Sequence, residues 1–468
     1  MARDAGDSSA ASRVVDRVAA EGIETIRLLF PDQHGILRGK TLTARALPSA
    51  LANGIGMPST LLLKDTSHRT VFPVWTEDVA VGDLPLAGAS DVICLPDAES
   101  FRVLPWSPHS AVMLCDVLHR SGEPLEIAPR TVLRRAENLL AEAGYTALFG
   151  LEVEFQVFAV ADDGLAHEQA TMPPAAIQTR NTTQGYQFLT ETRYAEVEDL
   201  LDDLRRNADA LGLGPRTVEI EMGPSQFEFT FDPSGPLEQA DRFVLFRTMV
   251  KEVCHRRGLH ASFMPKPNLP NAAANGWHIH QSVLKDGRNA LMPTAEGVLT
   301  DVASGWIAGL LEHAAASCLL TTPTVNGYKR FAPYQLAPNR IHWGTDNRGA
   351  MVRVLLYPGD TASRIENRVA DSSANPYFAF AAQILSGLDG IERGTTAPPA
   401  TEAAYDGDAT ALPATLIAAV EAFEASPLYL DRLGEGFVRY LSTIKRAEWD
   451  RYLSTVSEWE QAEYFNLF

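Results

Sequence analysis

The chain has 468 residues, of which 46% are hydrophobic and 21% are charged, so it can bury a substantial core and bulk disorder is excluded. Its 40 Lys and Arg residues against 59 Asp and Glu residues give a formal net charge of −19. That balance argues against nucleic acid as the main partner, because binding such a polyanion needs a clustered basic surface. It leaves room for a small anionic ligand held by a few arginines.

The four cysteines are far apart and match no zinc-type spacing, so we predict reduced and mostly buried thiols. The N-terminal segment contains acidic residues and no apolar run, which predicts the absence of a signal peptide. The most apolar longer segment, near residues 306–320, is interrupted by Glu312 and His313. It also falls short of the roughly 20 apolar residues that a bilayer span needs. We therefore predict a soluble cytoplasmic protein with no membrane partner.

The N-terminal part of the chain predicts a small β-rich domain over residues 15–107. Residues 1–14, rich in Ala, Ser and Asp, predict a disordered tail. Residues 23–30 and 36–43 predict two strands joined by a Pro-Asp-Gln-His-Gly turn. The Pro-Trp-Ser-Pro segment at 105–108 predicts the domain boundary, because two close prolines interrupt regular structure.

The remaining chain, 108–468, predicts a larger domain of mixed helices and strands. Apolar residues recur at helical spacing over 129–144 and 241–258. Strand-like segments cover 147–160 and 217–231. The predicted fold class is therefore α+β, with the β-rich domain followed by this larger one.

Repeated acidic residues interrupt the apolar pattern of two predicted strands. Glu152 and Glu154 lie two residues apart, so their carboxylates point the same way and repel each other unless a cation lies between them. A solvated outer face is the alternative interpretation. The second strand-like segment carries Glu219, Glu221 and Glu228 in a similar apolar context.

Histidines and arginines extend this pattern. His278 and His280 are again two residues apart; they are either ligands or hydrogen-bonded core histidines. Glu366 lies between two arginines that would share its strand face. Carboxylates with one imidazole suit Mg²⁺ or Mn²⁺ better than zinc or copper. Several arginines beside such a set fit phosphoryl transfer, where they clamp phosphate oxygens. These arginines are Arg330, Arg348, Arg353, Arg364 and Arg368.

A series of motifs then occurs in a familiar order. It includes Gly150 to Phe155, Glu221 to Glu228, Phe263-Met264-Pro265-Lys266-Pro267, His278 to Ser282, Asn326-Gly327-Tyr328-Lys329-Arg330, Asp346-Asn347-Arg348, Arg364 to Arg368 and Ala374-Asn375-Pro376-Tyr377. With these motifs the chain resembles the glutamine synthetase superfamily from about residue 15 onward, and in character the γ-glutamyl-amine ligases. The resemblance implies an N-terminal β-grasp domain and a catalytic domain with a curved antiparallel sheet flanked by helices. It also implies that ATP converts glutamate to γ-glutamyl phosphate, from which an amine displaces phosphate.

The resemblance assigns roles to individual residues. It implies two or three Mg²⁺ or Mn²⁺ ions, with ATP as co-substrate. One ion would be held by Glu154, Glu221 and Glu228, and another by Glu152, His278 and Glu366. Glutamate would contact Arg330, Arg368, Asn275 and Gly276; the nucleotide would contact His280, Ser282, Arg353 and Arg364; and Arg348, with Arg330 and Arg368, would serve the transfer itself.

Two departures from the family pattern concern the incoming nitrogen. Family members use an N-terminal aspartate, reaching across a subunit boundary, and a flap glutamate to bind and deprotonate ammonium. Here Pro58 and Leu336 occupy those positions, the latter in Pro333-Tyr334-Gln335-Leu336-Ala337-Pro338. Without these acids the desolvation of ammonium is not offset, whereas a larger amine can bury its carbon part. The sequence therefore predicts a ligase for an organic amine, such as ethanolamine, a polyamine or another alkyl or aryl amine.

Alternatives stay open at this point. The first alternative is an ordinary glutamine synthetase in which other acids replace the two that are missing. The second is a relative that has lost catalysis. The third is a different metal-dependent enzyme on the same fold. Ala273 and Ala274 replace part of a glutamate-contacting loop, so an amino acid other than glutamate is also open. The family implies a homo-dodecamer with active sites between subunits; the aromatic C-terminal tail would pack rings together or form a surface helix end.

Overall fold

The computed structural model describes residues 5–75, 80–81, 84–85, 87–332, 336–405 and 408–468. The strands are β1 Thr25–Pro31, β2 Leu37–Thr43, β3 Ile55–Pro58, β4 Ala80–Val81, β5 Leu84–Pro85, β6 Asp91–Pro96, β7 Arg102–Val103, β8 Ser110–Leu118, β9 Thr146–Asp162, β10 Gln178–Asn181, β11 Pro215–Ile220, β12 Gln226–Phe231, β13 Leu259–Ser262, β14 Trp277–Lys285, β15 Arg288–Asn289, β16 Trp343–Thr345, β17 Val352–Leu355 and β18 Arg364–Asn367. The helices are α1 Ala5–Ala20, α2 Leu47–Asn53, α3 Pro129–Glu142, α4 Glu191–Ala210, α5 Pro236–Arg256, α6 Asp301–Glu312, α7 Ala314–Thr321, α8 Pro376–Glu392, α9 Leu416–Glu424, α10 Pro427–Leu433, α11 Glu435–Leu453 and α12 Glu458–Tyr464.

The N-terminal sheet has the strand order β2-β1-β8-β6-β3, with β1 and β8 parallel and the other neighbours antiparallel. Because β8 pairs with both β1 and β6, this sheet extends to Leu118 and the predicted boundary at 107 is too early. The prolines at 105 and 108 mark the turn between β7 and β8, which pair with each other. They interrupt a hairpin rather than separate two domains.

The predicted disordered tail over residues 1–14 is also wrong for residues 5–14, because α1 begins at Ala5. Ala10, Val14 and Val18 recur every four residues and are buried on one face of this helix. Ala10 and Val14 lie within the predicted tail, and Val18 lies beyond it. The small and polar residues around them concealed a short apolar stripe.

The larger domain is built on a curved sheet with the order β11-β12-β9-β14-β18-β17-β16. Its neighbours are antiparallel except β16 and β17. Burial alternates along the central strand β9: Leu151, Val153 and Phe155 are buried while Glu152 and Glu154 are partly accessible. Helix α5 packs against β9 and α8, and α8 also packs against α3 and α6. One face of the sheet thus lies against helices, and the other presents the acids. The α+β fold class is confirmed.

Two further sequence predictions can be compared with the structure. All four cysteines are free and buried, and burial raises the pKa of Cys94, Cys254 and Cys318 to about 12. In the described ranges no single helix is long and apolar enough to cross a membrane. The pair α6 and α7 meets those criteria only together, with a bend of 76° between its halves.

Candidate active site

A cavity of about 1290 Å³ lies over the acidic face of the larger sheet. Most of the residues singled out in the sequence line it. These are Glu152, Glu154, Glu221, Glu228, Gly276, His278, His280, Ser282, Arg330, Leu336, Arg348, Arg353, Arg364 and Arg368. Three do not line it: Pro58, Asn275 and Glu366.

Strand register brings the acids and histidines together. Glu154 on β9 lies opposite Glu228 on β12, and Glu152 lies opposite His278 on β14. On the other side of β14, His280 lies opposite Glu366 of β18. Since opposite residues on neighbouring antiparallel strands point to the same face, these four strands present one continuous row of potential ligands.

The first cluster consists of Glu154, Glu221 and Glu228. One carboxylate oxygen from each residue lies within 4.8 Å of the other two. Burial, reinforced by the charge of Glu154, raises the pKa of Glu221 to about 8. Burial and the charges of Glu152 and Glu154 likewise raise the pKa of Glu228. Three such carboxylates are mutually repulsive when ionised. Their oxygen donors suit a hard divalent cation, which would neutralise them, so the residues fit an ion such as Mg²⁺ or Mn²⁺.

The second cluster is centred on Glu152. Its two oxygens contact Nδ1 of His278 at 2.6 Å and Nε2 of His280 at 2.8 Å. Although burial opposes ionisation, these imidazoles lower the pKa of Glu152. Glu366 lies below the cavity surface, with its oxygen 3.8 Å from Nδ1 of His278. Ligand atoms of Glu152, His280 and Glu366 lie within 4.8 Å of one another, and so do those of Glu152, Glu228 and His278. The predicted His278 therefore groups with Glu228, and His280 is the imidazole that groups with Glu152 and Glu366.

Arginines surround the second cluster. Arg368 donates to one oxygen of Glu366, and Arg353 donates to the other at 3.0 Å. Burial opposes ionisation of Glu366, yet the charge of Arg368 and the nearby histidines lower its pKa. Arg364 donates to Nδ1 of His280 at 3.1 Å. Among the predicted nucleotide residues, Arg353 contacts Glu366 and His280 contacts Glu152 directly, whereas Arg364 reaches the acids only through His280.

The cavity also contains a buried arginine whose guanidinium is only partly hydrogen-bonded. Arg330 donates from Nη1 to the carbonyl of Val369 at 3.1 Å, and its Nε has no hydrogen-bond partner. No ion pair involves it among the described residues. Burial lowers its pKa, an effect that the charge of Asp371 partly offsets. A buried guanidinium in this state favours an anionic ligand.

Asn275 corrects one sequence prediction, because its side chain faces the core and not the cavity. It is fully buried, donates to Gln156 and Met264, and accepts from Gln226 at 3.0 Å. A side chain with all its hydrogen-bonding groups engaged in this way is a support for the loop. The neighbouring Gly276 does face the cavity, and its N–H donates to Glu154 at 2.7 Å.

The two substituted positions lie in different places. Leu336 lines the cavity and is half exposed, with a left-handed φ of 53°. The adjoining predicted flap residues Pro333, Tyr334 and Gln335 lie outside the described residues. Pro58 is exposed at the end of β3, opposite Asp91, and does not line this chain's own cavity.

Sequence reasoning missed an apolar part of the cavity wall. Tyr186, Phe188 and Leu189, on the loop before α4, line the cavity together with Met222. The available signal was the Gly-Tyr-Gln-Phe-Leu segment at 185–189, in which two aromatic residues and a leucine follow the polar Asn-Thr-Thr-Gln segment at 181–184. No acidic motif marks it, so an analysis based on ligand chemistry passed over it.

Comparisons with known proteins agree with this geometry. The model of the family described as "Glutamine synthetase, catalytic domain" matches residues 126–464. The chain belongs to the glutamine synthetase family. It is 38% identical to a gamma-glutamylanilide synthase from Acinetobacter sp, covering 98% of this chain and 96% of that one. It is 33% identical to the gamma-glutamylethanolamide synthetase GlnA4 of Streptomyces coelicolor, covering 96% and 94%. It is also 33% identical to a glutamine synthetase from Halobacterium salinarum, covering 99% of each.

A solved structure gives the same result in three dimensions. The structure titled "GmaS/ADP complex-Conformation 1" superimposes with a TM-score of 0.81 at 30% identity, covering 97% of this chain and 99% of that one. The fold of this glutamine synthetase family member is thus shared over nearly its whole length.

Gly276 provides a prediction at the centre of this family site. A Cβ at this position would lie 3.3 Å from both Nη2 of Arg330 and Nε2 of His278, and 3.4 Å from Glu154. We expect Gly276→Ala to lower ATP turnover roughly tenfold or more, because small displacements of reacting groups are costly. Steady-state kinetics beside a thermal unfolding scan measures this.

Gly235→Ala is the matched control, since a Cβ there meets nothing within 4 Å and φ is ordinary. It should leave turnover unchanged. Full activity in Gly276→Ala would show that the close approach of these three groups is not required.

Proposed function

We propose that this protein is an ATP-dependent ligase that converts glutamate to γ-glutamyl phosphate and transfers the γ-glutamyl group to an organic amine instead of ammonia. The observation that carries the proposal is a contrast within one cavity. The acids and arginines suited to phosphoryl transfer are all at or directly below its surface, whereas Leu336 stands at the flap. The printed names of two relatives, a γ-glutamylanilide synthase and a γ-glutamylethanolamide synthetase, support transfer to amines.

Metal binding in this proposal follows the two clusters. Glu154, Glu221 and Glu228 would hold one Mg²⁺ or Mn²⁺, and Glu152, His278 and Glu366 would hold another. When bound, such ions polarise phosphoryl oxygens and neutralise the charge that develops during transfer. The carboxylates would supply the negative charge that retains the ions.

Different arginines would bind the different substrates. Arg330 and Arg368 would bind the carboxylate of glutamate, with the backbone of Gly276 beside them. Arg348 and Arg353 would contact the transferred phosphoryl group, where planar bidentate donors match its oxygens. Arg364, His280 and Ser282 would hold the nucleotide. In the free protein Ser282 donates to the carbonyl of Ser363 at 3.0 Å.

We also propose a cytoplasmic homo-dodecamer in which the N-terminal β-grasp domain of one subunit completes the cavity of the next. The exposed position of Pro58 on β3 is available for such a contact. On the C-terminal segment Trp459, Phe465 and Phe468 are exposed. That exposure fits either ring packing or a surface helix end.

A turnover screen tests the proposed function. The full-length protein is incubated with ATP, Mg²⁺, glutamate and one of a panel of amines, including ammonium, ethanolamine and putrescine, and ADP formation is followed. Hydroxylamine serves as a small nucleophile that reports γ-glutamyl activation. Turnover that requires both glutamate and an organic amine supports the proposal. Preference for ammonium over every organic amine at equal concentration makes the protein a glutamine synthetase.

Leu336→Glu tests the interpretation of the flap. We expect ammonium-dependent turnover to rise about tenfold or more, because a carboxylate offsets part of the desolvation of the cation. Turnover with an organic amine should fall at the same time. Leu336→Gln, which has similar size and no charge, is the control. An unchanged ratio of the two activities in Leu336→Glu would contradict the argument.

A further inference from the structure

We propose that the turn 32–35 of the N-terminal domain is a positioning element, which fixes the backbone of Glu154 and Gly276 in the cavity of its own subunit. Arg247 on α5 and the joining segment 371–375, between β18 and α8, transmit the contact. The inference deepens the proposed function and rests on it for what the cavity binds. The turn contains the Asp-Gln-His-Gly part of the motif that follows the first strand in the sequence.

The turn is held in one conformation by its own aspartate. Asp32 is fully buried, and its Oδ1 accepts the N–H groups of His34 at 2.9 Å and Ile36 at 3.0 Å. Its Oδ2 accepts from Nε of Arg38 at 2.8 Å. A side-chain oxygen that satisfies the N–H groups of its own turn favours that turn over other conformations. The turn therefore presents a defined shape to the larger domain.

Gly35 is the point at which the turn meets the larger domain. It has a left-handed φ of 68°, and a Cβ there would lie 2.9 Å from Nη2 of Arg247, 3.1 Å from Cα of Asn375 and 3.2 Å from Cδ of Pro376. Asn375 also donates from Nδ2 to the carbonyl of Asp32 at 3.1 Å. Both the conformation and the close approach require glycine. The joining segment thus packs directly on the turn.

Arg247 joins the turn to the same segment by hydrogen bonds. Its Nη2 donates to the carbonyl of Gly35 at 2.5 Å, and its Nη1 donates to the carbonyls of Ser372 and Ala374 at 3.2 Å each. The residue is only 8% exposed. Within the described ranges no carboxylate forms an ion pair with it. Because a buried guanidinium needs acceptors, its place depends on carbonyls from both domains.

Ser372 connects the joining segment to the cavity. It is fully buried, and its hydroxyl lies 2.5 Å from the carbonyl oxygen of Glu154 and 2.8 Å from that of Gly276. Its single proton is shared between these two acceptors. Asp371 forms an antiparallel bridge with Gly276 beside this contact. The joining segment therefore fixes the backbone of both cavity residues.

These two residues belong to the part of the cavity proposed for glutamate. The N–H of Gly276 donates to the carboxylate of Glu154 at 2.7 Å, and a Cβ at Gly276 would lie 3.3 Å from Nη2 of Arg330. Ser282 and Arg364, proposed for the nucleotide, are held by hydrogen bonds to residues outside the joining segment. Displacement of the turn should therefore weaken glutamate binding more than nucleotide binding.

Gly35→Ala and Gly22→Ala form a matched pair for the test. Both glycines have a left-handed φ, 68° and 66°, but a Cβ at Gly22 meets nothing within 4 Å. The backbone strain is thus similar, and only Gly35→Ala presses on the joining segment. With hydroxylamine as nucleophile, we expect Gly35→Ala to raise the KM for glutamate about tenfold and to change the KM for ATP less than about twofold. Gly22→Ala should leave both KM values unchanged.

Ser372→Ala tests the last link without touching the turn. It should raise the KM for glutamate in the same direction, because the two carbonyls lose their common donor. Ser386→Ala is its control: Ser386 is equally buried, and its hydroxyl lies 3.1 Å from that of Tyr429. A thermal unfolding scan shows which variants are folded. Loss of folded protein alone lowers kcat and leaves both KM values as they are.

Hydrogen exchange in the free protein gives a measurement that needs no activity. The N–H of Trp277 donates to the carbonyl of Ala370 at 3.0 Å, next to the N–H of Gly276. Exchange in peptides that contain these two amides should become about tenfold faster in Gly35→Ala and Ser372→Ala. It should stay at the wild-type rate in both control variants. Ser372→Ala alone decides the test where Gly35→Ala does not fold.

The outcomes separate this inference from the proposed function. Equal KM values and equal exchange rates in Gly35→Ala and Gly22→Ala overturn the positioning role, while wild-type turnover leaves the proposed function standing. An equal rise in the KM for glutamate and for ATP means general loosening of the cavity and also overturns the positioning role. Absence of glutamate-dependent turnover in the wild type overturns the proposed function, and the exchange rates then decide the positioning role by themselves.

Discussion

Replacing Glu228 by glutamine is expected to abolish glutamate-dependent ATP turnover and, at the same time, to stabilise the metal-free protein. Glu228 lies on β12 opposite Glu154 and belongs to two of the potential ligand groups, one with Glu221 and one with His278. It is only 5% exposed. Since a bound cation contributes several kcal/mol to phosphoryl transfer, we expect activity to fall at least about a thousandfold.

The stability part of this prediction has a defined dependence on pH. Burial and neighbouring carboxylates raise the pKa of Glu228, and the pKa of Glu221 reaches about 8. Between the unfolded value of 4.5 and these raised values, the folded protein binds more protons than the unfolded chain. The free energy of unfolding of the metal-free protein therefore decreases as the pH rises through this interval. Below it, the difference between wild type and variant should disappear.

Thermal unfolding in the presence of a chelator measures the effect. At about pH 8 the Glu228→Gln variant should unfold about 2–5 °C above the wild type. Excess Mg²⁺ should raise the unfolding temperature of the wild type, because it binds the folded state, and should have little effect on the variant. Glu219→Gln is the control: Glu219 faces Glu228 across the strand pair but belongs to none of the ligand groups. Equal responses of both variants to Mg²⁺ would show that the first cluster does not bind the metal ion.

Arg330→Met is expected to raise the KM for glutamate about a hundredfold, with the KM for ATP little changed. The guanidinium of Arg330 is buried and has an unpartnered Nε, and burial lowers its pKa. A carboxylate that binds there gains charge-assisted hydrogen bonds, and the loss of such a buried contact costs about 3 kcal/mol. Methionine preserves much of the apolar stem and removes the charge.

Steady-state kinetics with glutamate varied at saturating ATP and hydroxylamine measures this change. Arg216→Met is the matched control, because Arg216 lines the same cavity but is exposed and contacts Asp232 at 3.4 Å. It should leave the KM for glutamate unaltered. A glutamate KM that stays at the wild-type value in Arg330→Met would mean that another group binds the substrate carboxylate.

Part of the site could be derived from local sequence alone. The spacing of Glu152 and Glu154, and of His278 and His280, places each pair on one strand face because side chains alternate. Their chemistry indicates a hard divalent cation, and the arginines indicate a phosphoryl group. The substitutions at Pro58 and Leu336 were visible as well. Each of these inferences needs only neighbouring residues or the family pattern.

Other features depended on which strands pair. The prolines near residue 107 looked like a domain boundary, but β8, which follows them, pairs directly with β1 in the N-terminal sheet. Asn275 looked like a substrate contact because it precedes Gly276, yet its side chain is engaged by Gln156 and Gln226 from other strands. Sequence proximity does not reveal such partners.

The amino-acid sequence by itself determined the α+β class, the ligand chemistry and the family resemblance, because strand periodicity and side-chain chemistry are local properties. Only the tertiary structure decided that α1 is a helix over most of the expected tail, that Glu366 lies beneath the cavity floor, and that residues 186–189 lie beside Glu221. Those arrangements result from contacts between segments far apart in the chain. Their free energy depends on burial and pairing, which no local pattern specifies.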